Sequence, residues 1–264
     1  MDRLNELTKE QAELDKLLIA KIDDKIKFCK TRRRLVSTDF LDPAEQFTLN
    51  NYLLKNKDIN YIFTGGYEDA ERKILSIEPK DIEWSNIEKE KDNTLKVIRI
   101  TLPKELWGTF EHKTYLGALM KLGLERRKIG DILVKGNGAD IIIKDDIEDF
   151  LLKELSNLTR FQKSKIEAKE IKDLEVIIPD KKQFTINVPS MRLDAVVGEL
   201  ARCSRSDASR YLTDERVFVD FKLEIRGTKE IKENQFITIR GKGRFKILKI
   251  NQTRKGRFQV EVEK

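Results

Sequence analysis

Leu4, Leu7, Leu14, Leu17, Leu18 and Ile22 recur at helical spacing, and with Ile26 they predict one amphipathic helix from about Asn5 to Cys29. Asp42-Pro43 opens a second, with Asp42 as N-cap and Pro43 in the first position, running to about Lys57. Together they predict a helical N-terminal unit over residues 1–58. Beyond it the period changes. Short β-type runs cover Asn60–Thr64, broken by Gly65-Gly66, and Arg72–Ile77, ended by Pro79. Lys80–Asn93 is charged and reads as loop. Leu95–Leu102 is a strand, Lys113–Leu122 a helix closed by Gly123, and Asp145–Ser156 another helix. Asp131–Lys135 and Ala139–Lys144 form a hairpin around Gly136-Asn137-Gly138. Phe161–Pro179 reads mostly as strand.

Strands interrupted by two helices predict an α/β sandwich over residues 59–181, of the RNA-recognition or ferredoxin type. Pro179-Asp180-Lys181-Lys182 marks the next boundary. In residues 182–264, Phe184–Val188 is a lead-in strand. Ser190 is expected to cap a helix over Met191–Ala201, with Leu193, Val196, Val197 and Leu200 on one face. Ser204 caps another over Arg205–Leu212, and Asp207 stands where a capping box carries Glu. Arg216–Asp220, Ile225, Ile231 and Phe236–Arg240 complete a small antiparallel sheet. The fold class is α+β in three parts.

Charge sharpens this division. Of 264 residues 38 % are charged, and the net charge is +7. Residues 182–264 hold 19 Lys and Arg against 11 Asp and Glu, whereas the rest of the chain holds 34 against 35. No acidic residue lies between Asn234 and Val260, where Arg240, Lys242, Arg244, Lys246, Lys249, Arg254, Lys255 and Arg257 alternate with apolar residues. Alternation implies folded strands that fix the cations in place, as a polyphosphate partner requires. One His and two Cys leave little catalytic choice. A His-based triad or zinc site would have to use His112, and Cys29 and Cys203 support neither a disulfide framework nor a Cys-rich metal site. No run approaches the roughly 20 apolar residues of a spanning helix, and Met1–Ala20 lacks the apolar region of a signal peptide. The chain reads as cytoplasmic.

Arg192-Leu193-Asp194, Ser204-Arg205-Ser206-Asp207, Arg210, Val217-Phe218-Val219 and Arg240-Gly241-Lys242-Gly243-Arg244 resemble the small RNA-binding domain named after ribosomal protein S-four. Ser204 and the amides of a helix start suggest a phosphate site, with Arg205 in the first turn and Arg210 further along the helix. Arg192 fits either an ion pair with Asp194 or Asp207, or a phosphate contact. Arg216, Lys222, Arg240, Lys242 and Arg244 extend the candidate RNA-binding set. Phe63-Thr64-Gly65-Gly66-Tyr67, Ala70-Glu71-Arg72, Leu116-Gly117-Ala118-Leu119, Gly123-Leu124-Glu125-Arg126 and Gly130-Asp131-Ile132 in turn resemble the YlmH family. That resemblance implies ribosomal RNA and the large ribosomal subunit as partners, tRNA as a further candidate, and a part in ribosome-associated quality control on subunits holding stalled peptidyl-tRNA. Two departures stand out: Glu215 and Asp220-Phe221 occupy turn positions where the S-four module commonly carries Gly or an Asn-Gly pair. Glu215 costs about 1 kcal/mol if its φ is positive.

Other signals are weaker. Arg126, Arg127 and Lys128 form a basic cluster that fits a second RNA contact or exposed loop charge. Arg32, Arg33 and Arg34 fit a phosphate contact or the negative end of a helix dipole. Gly65-Gly66 lacks the lysine ending of a phosphate-binding loop. His112 reads as a residue at a helix start, Cys203 as a small buried residue, and Asp145-Asp146 as dipole-complementing acids. The expected function is non-enzymatic RNA binding, with no cofactor, no metal, no membrane and no small-molecule substrate. The alternative is an RNA-modifying enzyme. Arg192-Leu193-Asp194 resembles the Asp-bearing string of pseudouridine synthases but lies inside the basic module, and no glycine-rich loop for a methyl donor opens a βα unit. A third reading is a protein-interaction scaffold whose long N-terminal helix binds a partner, and it can hold together with the first.

Overall fold

The computed structural model describes residues 2–80, 94–176, 182–253 and 256–264. Most of the expected loop at 80–93 and of the boundary at 179–182 lies outside them. The chain divides into two compact units, Glu10–Ile178 and Pro179–Lys264, the latter grouped with Met1–Lys9.

In the first unit, the part of helix α1 (Asp2–Arg32) from Glu10 onward and helix α2 (Pro43–Leu53) share a core with strands β1 (Val36–Ser37), β2 (Ile59–Thr64) and β3 (Ile74–Pro79). The strands form an antiparallel sheet in the order β1-β3-β2. Ile22, Ile26 and Cys29 of α1 pack with Leu49 and Leu53 of α2 and with Ile59, Leu75 and Ile77 of the sheet. The expected division at residue 58 therefore cuts through one hydrophobic core, and the helices and the sheet form a single structure. Asp42 and Glu45 close a reciprocal capping box at the start of α2, which ends at Leu53 rather than Lys57.

The rest of this unit runs β4 (Leu95–Thr101), α3 (His112–Lys121), β5 (Ile129–Lys135), β6 (Gly138–Lys144), α4 (Glu148–Asn157) and β7 (Lys165–Glu170). The sheet order β5-β6-β4-β7, with every neighbouring pair antiparallel, is the ferredoxin-like βαββαβ arrangement. Gly138 follows the two-residue hairpin loop and lies against β4, where an added Cβ would come 1.9 Å from the Ile100 carbonyl oxygen. Even-numbered Ile98 and Ile100 of β4 pack with Tyr115, Leu119, Leu151 and Leu155 of the helices. Among the described residues of the expected Phe161–Pro179 strand, strand character is confined to Lys165–Glu170. The chain then turns through a short 3-10 helix, Ile171–Asp173, which places Ile171 on the sheet face opposite the helices.

That opposite face is filled from within the unit. Leu95, Val97 and Ile142 pack against Phe40, Ile74, Ile171, Tyr67 and Leu174. Full burial of each large apolar side chain there contributes about 2 kcal/mol. Beside them Asp140 is buried and receives the Arg99 guanidinium through two hydrogen bonds of 2.8 Å and the Lys135 ammonium at 2.9 Å. Burial opposes its ionisation, but these partners outweigh it and hold its pKa below the ordinary carboxylate range.

The second unit contains β8 (Gln183–Val188), α5 (Leu193–Ala201), α6 (Arg205–Thr213), β9 (Val217–Val219), β10 (Lys222–Leu223), β11 (Phe236–Ile239), β12 (Gly243–Gln252) and β13 (Phe258–Glu263). The strands form one antiparallel sheet ordered β10-β9-β11-β12-β13-β8. Both helices cover one face, where Leu193, Val196, Val197, Ala208 and Leu212 meet Val217, Val219, Ile237, Ile239, Ile247, Val260 and Val262. Ile225 and Ile231 are not in strands. Ile231 is buried in the connection, where its N–H donates to the Met191 carbonyl, and β12, β13 and β8 complete the sheet. Helix α5 begins two residues later than expected, with Arg192 rather than Ser190 in the N-cap position.

Candidate nucleic-acid interface

Three groups of cations emerge. The first is built on Asp194, a buried residue in the opening turn of α5. Its carboxylate accepts from Arg192 Nε at 3.2 Å, Arg192 Nη2 at 2.8 Å and Arg205 Nη2 at 2.9 Å. The Arg192 hydrogen bonds, joined by those from Arg205 and opposed by partial burial, bring its pKa to about 2. One carboxylate thus holds two guanidinium groups side by side at the start of α5 and α6, with Arg205 65 % exposed. Ser204 caps α6, accepting from the Asp207 N–H at 3.1 Å and donating its hydroxyl to the Asp207 carboxylate at 2.7 Å. Asp is too short to complete the box by reaching back to the N-cap N–H, and it places a negative charge in the same turn. Of the helix-start amides in the expected phosphate cradle, that of Asp207 is thus taken by Ser204. Arg210, 78 % exposed, lies 3.6 Å from Asp207. Sequence reading named both arginines but not Asp194 as the group that pairs them; its signal was the Arg-x-Asp spacing.

The second group lies on the sheet face turned away from α5 and α6. Phe218, Phe236, Thr238, Arg240, Arg244 and Lys246 alternate with the buried residues of β9, β11 and β12, and Thr238 stands opposite both Phe218 and Arg244. The Arg240 guanidinium lies 4.8 Å from the Phe218 ring centroid, that of Arg244 5.2 Å from Phe221, and the Lys246 ammonium 5.8 Å from Phe236. Phe221 and Phe236 rings are 5.3 Å apart. At the corner of this face Arg216 lies over Tyr211 at 4.5 Å and donates to the Arg240 carbonyl at 2.9 Å. Lys242 is exposed in the β11–β12 turn. Lys222 pairs with Val219, whose side chain is in the core, so it stands at the sheet edge on the helix side instead. The turn positions noted in the sequence have positive φ: Glu215 at 56°, Asp220 at 49° and Phe221 at 66°. Asp220 and Phe221 form the two-residue turn joining β9 to β10. Asp220 holds it by accepting from the Phe236 N–H at 3.0 Å and Gln235 Nε2 at 2.6 Å.

The third group is bound inside its own unit. Arg126 is half-buried and donates to the Ile129 and Gly130 carbonyls. Burial, then the neighbouring Arg72, lowers its pKa. Arg127 pairs with Glu125 at 2.6 Å and Asp39 at 3.6 Å, and Lys128 pairs with Asp39 and Asp146 at 3.0 Å each. This loop adjoins Asp131, which ties the segment at 67–72 to the ferredoxin-like sheet. Asp131 accepts from Tyr67 Oη at 2.8 Å, the Glu71 N–H at 2.7 Å and the Arg72 N–H at 3.0 Å. Arg72 in turn donates to the Ile129 carbonyl at 3.2 Å and the Phe40 carbonyl at 3.0 Å. The Gly65-Gly66-Tyr67, Glu71-Arg72 and Gly130-Asp131 strings thus belong to one internal contact.

His112 is exposed at the first position of α3. Cys203 packs against the core of the second unit, and burial raises its pKa. Among the described residues no three His, Cys, Asp or Glu side chains are placed to hold a metal ion, and no helix is long and apolar enough to cross a membrane.

Two family models match the first unit: "YlmH, N-terminal" over residues 15–82 and "Putative RNA-binding domain in YlmH" over residues 88–174. The "Ribosome-associated protein quality control protein P2" of Bacillus subtilis is 31 % identical over 232 residues, covering 88 % of both chains. The chain belongs to the YlmH family. Among solved structures it is similar to the "Cell division protein ylmH from Streptococcus pneumoniae", with 21 % identity, a TM-score of 0.49, and coverage of 60 % of this chain and 93 % of that one. In the segment that matches the YlmH RNA-binding model, the sheet face on which RNA-recognition folds stack bases is the one filled by Phe40, Ile74, Tyr67, Ile171 and Leu174. In this YlmH-family chain, cations lying over aromatic rings gather instead in residues 182–264, where Arg216, Arg240, Arg244 and Lys246 lie over Tyr211, Phe218, Phe221 and Phe236.

Proposed function

We propose that this protein is a non-enzymatic RNA-binding protein that associates with ribosomal RNA on large subunits, and that it acts in ribosome-associated quality control on subunits holding stalled peptidyl-tRNA. The observation that carries the reading is the Asp194 cluster. It orders Arg192 and Arg205 at one end of the unit with the +8 excess, beside exposed Arg210. Fixed guanidinium groups meet phosphate with little side-chain ordering left to do. The name of the Bacillus subtilis relative supports the ribosomal setting. The use made of Asp194 supports binding over catalysis: in a pseudouridine synthase the corresponding carboxylate must reach substrate, whereas this one is buried under two arginines.

Co-sedimentation tests the proposal. The tagged chain is run with ribosomal subunits on sucrose gradients beside an Arg205→Glu, Arg210→Glu variant, with circular dichroism checking the fold. The wild-type chain is expected in the large-subunit fractions and the variant at the top of the gradient. A folded variant that still travels with large subunits would overturn the site assignment. Altered nucleotides in ribosomal RNA incubated with the chain would return the enzyme reading.

A further inference from the structure

The helix-side arginines do not use the other face of the same sheet. That face carries a row of rings with cations lying over them. Phe218 lies under Arg240, Phe221 under Arg244 and Phe236 under Lys246, with the Phe221 and Phe236 rings in contact. All three phenylalanines are half-buried, while Arg240, Arg244 and neighbouring Lys242 are exposed. Backbone strain supports the arrangement, since Asp220 and Phe221 both take φ values that favour glycine, and the result sets the Phe221 ring beside Phe236. Asp220 is turned to the Phe236 N–H and Gln235. Glu261 and Glu263 lie on β13, opposite Lys249 and Lys246, and bound the patch on that side.

The guanidinium is itself planar, and the Phe218 and Phe221 rings support those of Arg240 and Arg244 at the surface of the sheet. Unpaired bases stack on such planes, and the charge attracts the phosphates between them. A duplex keeps its base faces stacked inside and offers its backbone and groove edges but no base plane along its length. Resting on the RNA-binding reading above, we infer that the outer face of the β9–β11–β12 sheet is a separate site for single-stranded RNA. Arg240 and Arg244 form its stacking platform, while Lys242 and Lys246 neutralise the strand. The protein then has two RNA-facing sides: a helix side for the phosphate backbone and a sheet side for splayed bases.

The test separates stacking from charge. Binding of the full chain to a labelled oligouridylate and to an RNA duplex of equal length is measured by fluorescence anisotropy. Arg240→Lys with Arg244→Lys keeps both charges and removes the planes. The single strand is expected to bind roughly fivefold or more weakly to this variant, with the duplex unchanged. Phe218→Leu with Phe221→Leu, which removes the rings beneath Arg240 and Arg244, should reproduce the loss. Arg205→Glu with Arg210→Glu should weaken the duplex more than the single strand. Unchanged single-strand binding in the Lys variant, or equal losses for both RNAs, overturns the platform while leaving the RNA-binding reading intact. Failure of the wild-type chain to bind either RNA overturns both.

Discussion

Asp194 and Arg205, 11 residues apart, join the first turns of two helices through a 2.9 Å ion pair. The depressed pKa of Asp194, about 2 against an ordinary 3.8, means that ionisation and folding favour each other. A lowered folded-state pKa contributes stability that is full above the unfolded value and disappears as pH falls through the folded one. The window is therefore from about pH 4 down to about pH 2, and the contribution is about 2 kcal/mol. Asp194→Asn should lower stability by about that amount at neutral pH and flatten the acid limb of the urea-denaturation profile. An unaltered acid limb would count against the cluster.

Gly130 faces Phe40 so closely that an added Cβ would lie 2.7 Å from the ring. Gly130→Ala should destabilise the chain by about 1–3 kcal/mol through overpacking. Adding Phe40→Leu should recover part of that loss, because the smaller side chain gives way. Midpoints of chemical denaturation for the two single variants and the double variant form the required cycle.

At Glu215 the backbone takes a φ of 56°. Glu215→Gly should relieve about 1 kcal/mol of local strain, partly offset by the greater freedom of an unfolded glycine. A thermal-shift assay should show a small rise in the melting temperature. A fall would mean that the contacts made by Glu215 outweigh the strain.

RNA affinity should depend steeply on salt. If about six of the C-terminal cations meet phosphate, log K falls against log salt with a slope near −4 to −5. Titrations across a series of potassium concentrations measure it directly. A flat response would remove the electrostatic basis of the proposed function.

Local signals were legible in the sequence. Asp42 and Ser204 lie at their helix starts, and the turn at Gly136-Asn137 joins the expected strands, because caps and tight turns depend on a few adjacent residues. The βαββαβ order was also readable, since period and turn residues alternate clearly. The extent of the last strand was not: Ile166 and Ala168 continue the alternation, but Ile171 is drawn into a distant hydrophobic cluster with Phe40 and Ile74. The core that runs across residue 58 was hidden for a similar reason, because Cys29 reaches the Ile77 carbonyl, a contact no local pattern announces. In the candidate site the arginines were visible as charge. The Asp194 bridge between two helices, and the face each cation occupies, depended on strand register and helix packing.

The hydrogen bonds gathered by Asp131 bear on how this protein can change over time. A carboxylate that receives Tyr67, Glu71 and Arg72 from some 60 residues earlier makes the segments at 15–82 and 88–174 heritable only as a pair. A recombination event that moved the ferredoxin-like half into another gene would carry away an acid without its donors and a sheet face without its cover. Residues 182–264 share none of those bonds, and their two helices and six-stranded sheet close a core drawn entirely from their own segment.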